Sequence, residues 1–244
     1  MKLLKTLLVF TFLFLTLTET RVMDINPDFV WADIGQLRDV FVVHSFVVYH
    51  GDLYAGTYYG VYRHDGGTKW TDVGGCRGDE VSLVVYAGNL YCGSYSWVYR
   101  YDEERKKWIH VGNLEDVEKV TSFAVYDGKL YAGTRYFHRE EGYLGYRGHV
   151  FRYDGGTTWT EVGQLGGLGY FNYVLSLAVF DGKLYAATYE SQSGGGHVYR
   201  YDGGATWTDL GQLGYEKVYS LAVYEGNLYA GTDFHVYRYG VGDL

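Results

Sequence analysis

One thirteen-residue pattern recurs five times along the 244-residue chain and constrains its fold more than any other feature. The copies read SFVVYHGDLYAGT, SLVVYAGNLYCGS, SFAVYDGKLYAGT, SLAVFDGKLYAAT and SLAVYEGNLYAGT. They begin at Ser45, Ser82, Ser122, Ser176 and Ser220, between 37 and 54 residues apart. Such a period is typical of architectures in which each copy is one supersecondary unit, and it suits a four-stranded propeller blade.

Each unit predicts four short strands, which we call a to d. Strand a is the Ser-Leu-Ala-Val-Tyr segment, and an x-Gly turn leads into strand b, Lys-Leu-Tyr-Ala-Gly-Thr. Strand c is His-Val-Tyr-Arg-Tyr and strand d is Thr-Trp-Thr-Glu-Val-Gly. Strand a is almost wholly apolar or small, which indicates an inner strand covered on both faces. Its serine is predicted to be a small packing residue, because a nucleophile would need a base beside it.

The two ends of the chain predict how the ring closes. The last repeat stops after strand c, at residues 235–240, while FVWADIGQL at 29–37 reads as a strand d without its blade. Trp31 and Gly35 correspond to Trp159 and Gly163. We therefore predict an all-β, five-bladed β-propeller over residues 21–244, in which the segment 29–35 completes the last blade and leaves no open edge.

Two families of repeat resemble these units. The run YDEERKKWIHVG at 101–112 resembles a kelch repeat, and the turns DGGTKW, DGGTTW and DGGATW resemble the Asp-box hairpins of sialidases. The five-blade plan is similar to that of tachylectin-type lectins. These resemblances imply a propeller, but Ala-Gly-Thr replaces the kelch Gly-Gly doublet and arginine replaces the Asp-box serine or threonine. They transfer no activity.

Residues 1–20 combine two lysines with a short apolar run, which predicts a secretory signal peptide; an uncleaved anchor is the alternative. The expected location is therefore secreted, cell-surface or periplasmic. The net charge of −8 and the lack of a basic stripe exclude nucleic acid as an expected partner. Once the signal is cleaved, no membrane insertion is expected. The sequence leaves the oligomeric state open.

The Asp-Gly-Gly turns at Asp65, Asp154 and Asp202 are predicted to be structural, since each offers one carboxylate and a calcium site needs several. We expect no metal and no cofactor. The two cysteines, Cys76 and Cys92, fall in the second repeat. Their expected positions at one end of a blade allow a disulfide, and two free thiols remain the alternative.

Glu80, Glu118 and Glu216 each precede a strand a and are the best acids for catalysis at the mouth of a central channel. Lysines beside two of them favour solvated ion pairs instead. The sequence therefore favours a binding module over an enzyme. A glycoside hydrolase or sugar epimerase is the enzymatic alternative.

The repeats disagree mainly in their b–c and d–a connections, which share one face of a propeller. The b–c connection of the third repeat is a predicted 15-residue loop at 135–149, and aromatic residues follow most b strands. Aromatic rings beside polar groups suit a sugar. We predict binding of carbohydrate or glycoprotein at this face, with a kelch-type protein-interaction scaffold as the alternative. The candidate contacts are Tyr136, Phe137, His138, Arg139, Tyr143, Tyr146, Tyr170, Phe171, Asn172, Tyr173, Tyr189, Glu190, Gln192, Tyr58, Tyr95, Trp97 and Phe234.

Overall fold

The computed structural model describes residues 32–37, 42–78, 80–115, 117–140, 143–166, 172–190 and 194–240. All strands belong to one compact unit, Ile34–Leu244; Met1–Asp33 is a separate unit, of which only residues 32 and 33 are described. The described residues contain no helix. The nineteen strands that these residues form, in five antiparallel sheets, confirm the predicted all-β, five-bladed propeller.

The first four blades have four strands each, and the fifth has three. Blade 1 comprises β1 (Val43–Tyr49), β2 (Asp52–Thr57), β3 (Gly60–Gly66) and β4 (Lys69–Gly74). Blade 2 comprises β5 (Ser82–Tyr86), β6 (Asn89–Ser94), β7 (Trp97–Asp102) and β8 (Lys107–Asn113). Blade 3 comprises β9 (Val117–Tyr126), β10 (Lys129–Glu140), β11 (Tyr143–Gly155) and β12 (Thr158–Leu165). Blade 4 comprises β13 (Asn172–Phe180), β14 (Lys183–Glu190), β15 (His197–Gly203) and β16 (Thr206–Gln212). Blade 5 comprises β17 (Ser220–Tyr224), β18 (Asn227–Gly231) and β19 (Val236–Tyr239).

Tryptophans of strand d connect successive blades. Trp108 Nε1 donates to the carbonyl oxygen of Val73 at 2.9 Å, and Trp159 Nε1 does the same to Val111 at 3.0 Å. Trp207 repeats the bond one blade further on, and in each case the acceptor lies three residues after the tryptophan of the preceding blade. The core is built the same way: its clusters combine residues of neighbouring blades.

The serines that begin strand a also bridge blades. Ser45 Oγ donates to the Val81 carbonyl at 2.7 Å, whereas Ser122 Oγ accepts from the Leu177 N–H at 3.0 Å. These serines therefore form hydrogen bonds between blades, in addition to the small-residue packing predicted from the sequence.

Blade 5 and blade 1 each present an exposed apolar face, although the equivalent faces of the other blades are buried. Val236 in β19 is 75% exposed, whereas its counterparts Val61, Val98 and Val150 in the c strands of blades 1 to 3 are all 0% exposed. At the other end, Phe46 in β1 is 60% exposed, although its counterpart Leu83 is 9% exposed. The described residues thus hold two uncovered halves of the interface that the other blades complete.

Those halves bear on the predicted closing segment, 29–35. Residues 29–31 lie outside the described residues, and 32–37 form no strand. Trp70 Nε1 nevertheless donates to the Ile34 carbonyl at 3.0 Å, the same bond that the other tryptophans make to strand d of the preceding blade. Ile34 lies three residues after Trp31, so the spacing is also the same. Closure of blade 5 by this segment remains a prediction.

Two segments expected to be connections are strands. Within the predicted loop at 135–149, the described residues 135–140 and 143–149 extend β10 and β11, with Arg135 paired to Gly148 and Glu140 paired to Tyr143. An antiparallel ladder satisfies the backbone groups of this long segment, which a free loop would leave to solvent. Likewise, Asn172, expected in a d–a connection, opens β13 and pairs with β14.

Candidate functional site

The b–c and d–a connections come together on one face, which we call the variable face. Backbone hydrogen bonds join the two kinds of connection, as from Gly78 N to the Tyr58 carbonyl at 2.9 Å and from Val120 N to the Tyr95 carbonyl at 2.9 Å. In blades 4 and 5, Gly196 N donates to the Glu216 carbonyl at 2.6 Å. The connections where the repeats differ are therefore held together by a regular scaffold.

Exposed aromatic side chains lie on this face in three blades. Tyr58, Tyr95 and Trp97 are each at least 40% exposed, and Phe234 is 85% exposed. Trp97 is held by an edge-on contact with His110, with ring centroids 4.8 Å apart. All four were predicted from the sequence as ligand contacts, and all four side chains are accessible to a ligand.

The structure places the other predicted contacts in several ways. Residues 170, 171 and 192 lie outside the described residues, so Tyr170, Phe171 and Gln192 remain predictions. The remaining blade 3 candidates lie along the paired ends of β10 and β11, namely Tyr136, Phe137, His138, Arg139, Tyr143 and Tyr146. This ribbon continues strands b and c beyond the length that the other blades give them.

A row of cations and aromatic rings crosses blades 3 to 5 at the same face. The Arg135 guanidinium lies 5.2 Å from the ring centroid of Tyr173, which lies 5.9 Å from the Tyr189 ring. Lys217 Nζ lies 4.8 Å from the Tyr189 centroid, and Arg135 also pairs with Glu118 at 2.6 Å. Tyr173 and Tyr189 were predicted to contact ligand, but their rings are already engaged by cations. Their spacing along the chain gives no sign of these long-range contacts.

Glu190 and Asn172, two further predicted contacts, are buried. Glu190 is 5% exposed, and its Oε1 accepts hydrogen bonds from Tyr199 Oη at 2.6 Å and Thr188 Oγ1 at 3.0 Å. Burial and the adjacent Glu190 carboxylate raise the pKa of Tyr199 far above its usual value, so its phenol remains a donor. The Glu190 backbone closes the following turn through Gly195 at 3.0 Å. This carboxylate therefore holds the end of β14 in place and is not presented to solvent.

Two of the three candidate catalytic acids are held by cations. Glu80 Oε2 lies 3.3 Å from Lys119 Nζ, whose side chain is 3% exposed, and Glu118 pairs with Arg135. The lysine next to Glu118 in sequence thus serves Glu80, on another blade. Ion pairs are thus present at these two acids, but Glu118 pairs with Arg135, and the lysine that follows it in sequence is buried.

The third acid, Glu216, is also engaged. Its carboxylate accepts a short hydrogen bond from Thr232 Oγ1 and lies 3.1 Å from His235 Nδ1. The Thr232 bond, with further help from the Phe234 N–H and His235, lowers the pKa of Glu216 below its usual value. A carboxyl group stabilised in its charged form is a poor proton donor at neutral pH.

The Asp-Gly-Gly turns lie away from the variable face, in the c–d hairpins, and have a structural role. Asp154 accepts from Arg152 Nε at 2.8 Å and from Thr160 Oγ1 at 2.5 Å. Asp65 and Asp202 make the same pair of contacts. Each aspartate clamps the two strands of one hairpin. Among the residues that the structure describes, no group of three or more His, Cys, Asp or Glu side chains is placed to hold a metal.

Cys76 and Cys92 form a disulfide with a Cα–Cα distance of 6.0 Å. It joins the connection between blades 1 and 2 to β6, and both residues are buried. Of the two alternatives that the sequence left open, the structure contains the disulfide.

Comparison with known proteins supports the propeller fold and identifies no family. No family model and no curated protein matches the chain. Among solved structures, the extracellular domain of BT4673 from B. thetaiotaomicron aligns with a TM-score of 0.62 and 17% identity, covering 86% of this chain and 29% of that one. A chain of the Mitotic Checkpoint Complex aligns with a TM-score of 0.56 and 15% identity, covering 82% of this chain and 62% of that one. The protein spans less than two thirds of either chain. At this identity the likeness shows a shared propeller fold, and neither a kelch nor an Asp-box family is shown.

Proposed function

We propose that the protein is a non-enzymatic module that binds carbohydrate or glycoconjugate through the variable face. The observation that carries the proposal is the set of exposed aromatic rings that the b–c connections present there. Sugar C–H faces stack on such rings, while hydroxyls bond to nearby polar groups. The candidate acids Glu80, Glu118 and Glu216 are each already paired, which favours binding over catalysis.

An extracellular setting supports the same proposal. The Cys76–Cys92 disulfide is of a kind that persists in oxidising compartments, and the N-terminal pattern is that of a signal peptide. The described residues form no helix that could cross a membrane.

The test compares two aromatic side chains on opposite faces. Trp97→Ala removes an exposed ring from the variable face, whereas Tyr224→Ala removes an exposed ring that lies at an a–b turn. A glycan array with the mature protein would identify a binding glycan, and calorimetry would give its affinity for each variant. We expect Trp97→Ala to weaken binding at least tenfold and Tyr224→Ala to leave it unchanged. Absence of any bound glycan to folded protein, or equal losses in both variants, would refute the proposal.

A protein partner is the second candidate, and blade 5 favours it. Phe234 and Tyr215 are 85% and 88% exposed, and Tyr219 adds a third partly exposed ring. Large aromatic anchors of this kind are typical of interface hot spots. Capture of one specific protein that Phe234→Ala abolishes, with glycan arrays negative, would favour this function over carbohydrate binding.

A further inference from the structure

A cavity of about 280 Å³ lies where the five a strands begin, at the centre of the variable face. Every blade contributes to it the residue that immediately precedes its strand-a serine. These five residues are His44, Val81, Thr121, Leu175 and Tyr219. Ser45, Ser82 and Glu80 complete the lining. The five blades therefore surround one common space.

The lining differs from blade to blade, although the neighbouring position does not. Serine follows the lining residue in all five repeats, and the hydroxyls of Ser45, Ser122 and Ser176 form hydrogen bonds to the next blade. One position earlier, the side chains are an imidazole, a valine, a threonine, a leucine and a phenol. A position needed only to fill the centre of a five-fold ring would repeat like the serine. Variation at this position, beside an invariant serine, instead indicates recognition of an asymmetric molecule.

Two polar side chains of the lining, His44 and Glu80, are the candidates for hydrogen bonds to an occupant. Nε2 of His44 is buried and has no hydrogen-bond partner among the described residues. A buried polar atom without a partner requires an explanation, and an occupant of the adjacent cavity supplies one. Glu80 is held by the buried Lys119 at 3.3 Å, yet half of its side chain remains exposed. The exposed part of this carboxylate can accept hydrogen bonds from an occupant.

We propose that this cavity binds a single polyhydroxylated ring, such as a monosaccharide or the terminal sugar of a chain. Its volume lies just below the about 300–1,000 Å³ of typical ligand pockets, which limits the occupant to one small ring. His44 and Glu80 offer bonds to hydroxyl groups, and the Val81 and Leu175 side chains offer an apolar wall for C–H groups. The proposal rests on the proposed carbohydrate-binding function and names the part of the sugar that the cavity would bind.

Two cavity variants and one surface variant test it. His44→Phe keeps an aromatic ring and removes the nitrogens, Leu175→Trp fills the cavity, and Tyr224→Ala, at an a–b turn, leaves it intact. The probes are glucose, galactose, mannose, N-acetylglucosamine and myo-inositol, titrated against protein in which the methyl groups of Val81 and Leu175 are observed by NMR. We expect at least one probe to shift these methyls, and both cavity variants to weaken its binding at least tenfold. Tyr224→Ala should leave the affinity for that single ring within twofold.

The possible failures are distinguishable. If an oligosaccharide binds and its affinity depends on Trp97, but no single ring shifts the Val81 methyls, the cavity site is refuted and the proposed function stands. The cavity site is also refuted if a single ring binds and neither His44→Phe nor a folded Leu175→Trp changes its affinity. Circular dichroism establishes folding, and if Leu175→Trp does not fold, the milder substitution His44→Phe decides the outcome. Absence of both oligosaccharide and single-ring binding refutes both proposals.

Discussion

Substituting Gly112 by alanine should disrupt the contact between blades 2 and 3. A Cβ atom built on Gly112 would lie 2.5 Å from Cδ1 of Trp159, with the indole nitrogen at least as close. The indole would have to move, and its hydrogen bond to the Val111 carbonyl would be lost. Overpacking costs about 1–3 kcal/mol, and a lost hydrogen bond costs about 0.5–1.5 kcal/mol. We therefore expect Gly112→Ala to lower the free energy of unfolding by roughly 2–4 kcal/mol, measured by urea denaturation.

A double-mutant cycle separates the clash from any effect on the strand itself. In a Trp159→Leu background the clash is absent, and Gly112→Ala should change stability by less than about 1 kcal/mol, since alanine also restricts the unfolded chain. The coupling between the two substitutions would then exceed about 1 kcal/mol. Effects that add to within about 0.5 kcal/mol would show that the tryptophan does not pack on this glycine, and would refute the reasoning.

Four further predictions concern other parts of the framework. Burial, and then a neighbouring tyrosine, raise the pKa of Tyr131 from 10.0 to about 12. The stability that this group contributes is therefore complete below pH 10 and is lost as the pH rises through 12. In an absorbance titration of the folded protein, tyrosinate from Tyr131 should form at a higher pH than tyrosinate from free tyrosine. Titration at the normal pKa would contradict this prediction. The double substitution Cys76→Ser with Cys92→Ser opens a link spanning 16 residues and should cost about 3 kcal/mol in urea, as should reduction of the unaltered protein; equal stability would contradict it. Ala87 has a φ of 47°, which asparagine tolerates better, so Ala87→Asn should raise the melting temperature, and a lower value would argue against the turn geometry. Trp31→Phe should destabilise the protein as much as the same change in the tryptophans of blades 2 to 4, if segment 29–35 completes blade 5; no loss of stability would contradict closure by that segment.

The strands were predictable because local chemistry determines them. The segment SLVVY at 82–86 is β5 with the predicted bounds, and the following Ala87-Gly88 pair forms the expected tight turn. Here apolar patterning and a glycine after the turn residue act within a few positions of each other. Such signals do not depend on the rest of the fold.

The site was less predictable because its contacts are long-range. The segment from Arg135 to His149 contains charges and glycines that favour a loop, and only pairing across the two arms makes it a ribbon. The cation contacts on Tyr173 and Tyr189 connect different blades, so spacing within one repeat could not reveal them. The cavity-lining residues occupy the variable position before each serine in the sequence, but only the arrangement of the five blades brings them together.

The uncovered faces of blades 1 and 5 have a consequence for self-association. Each is one half of the same interface, so the Val236 side of one molecule could receive the Phe46 side of another as well as its own. Such a contact is heterologous and, unless it closes on itself, propagates into chains of molecules. Within one molecule the two halves are linked by the chain at an effective concentration on the order of millimolar, which favours their pairing in a monomer under dilute conditions. Any change that keeps the faces of blades 1 and 5 apart within one molecule would therefore favour concentration-dependent polymerisation through these faces.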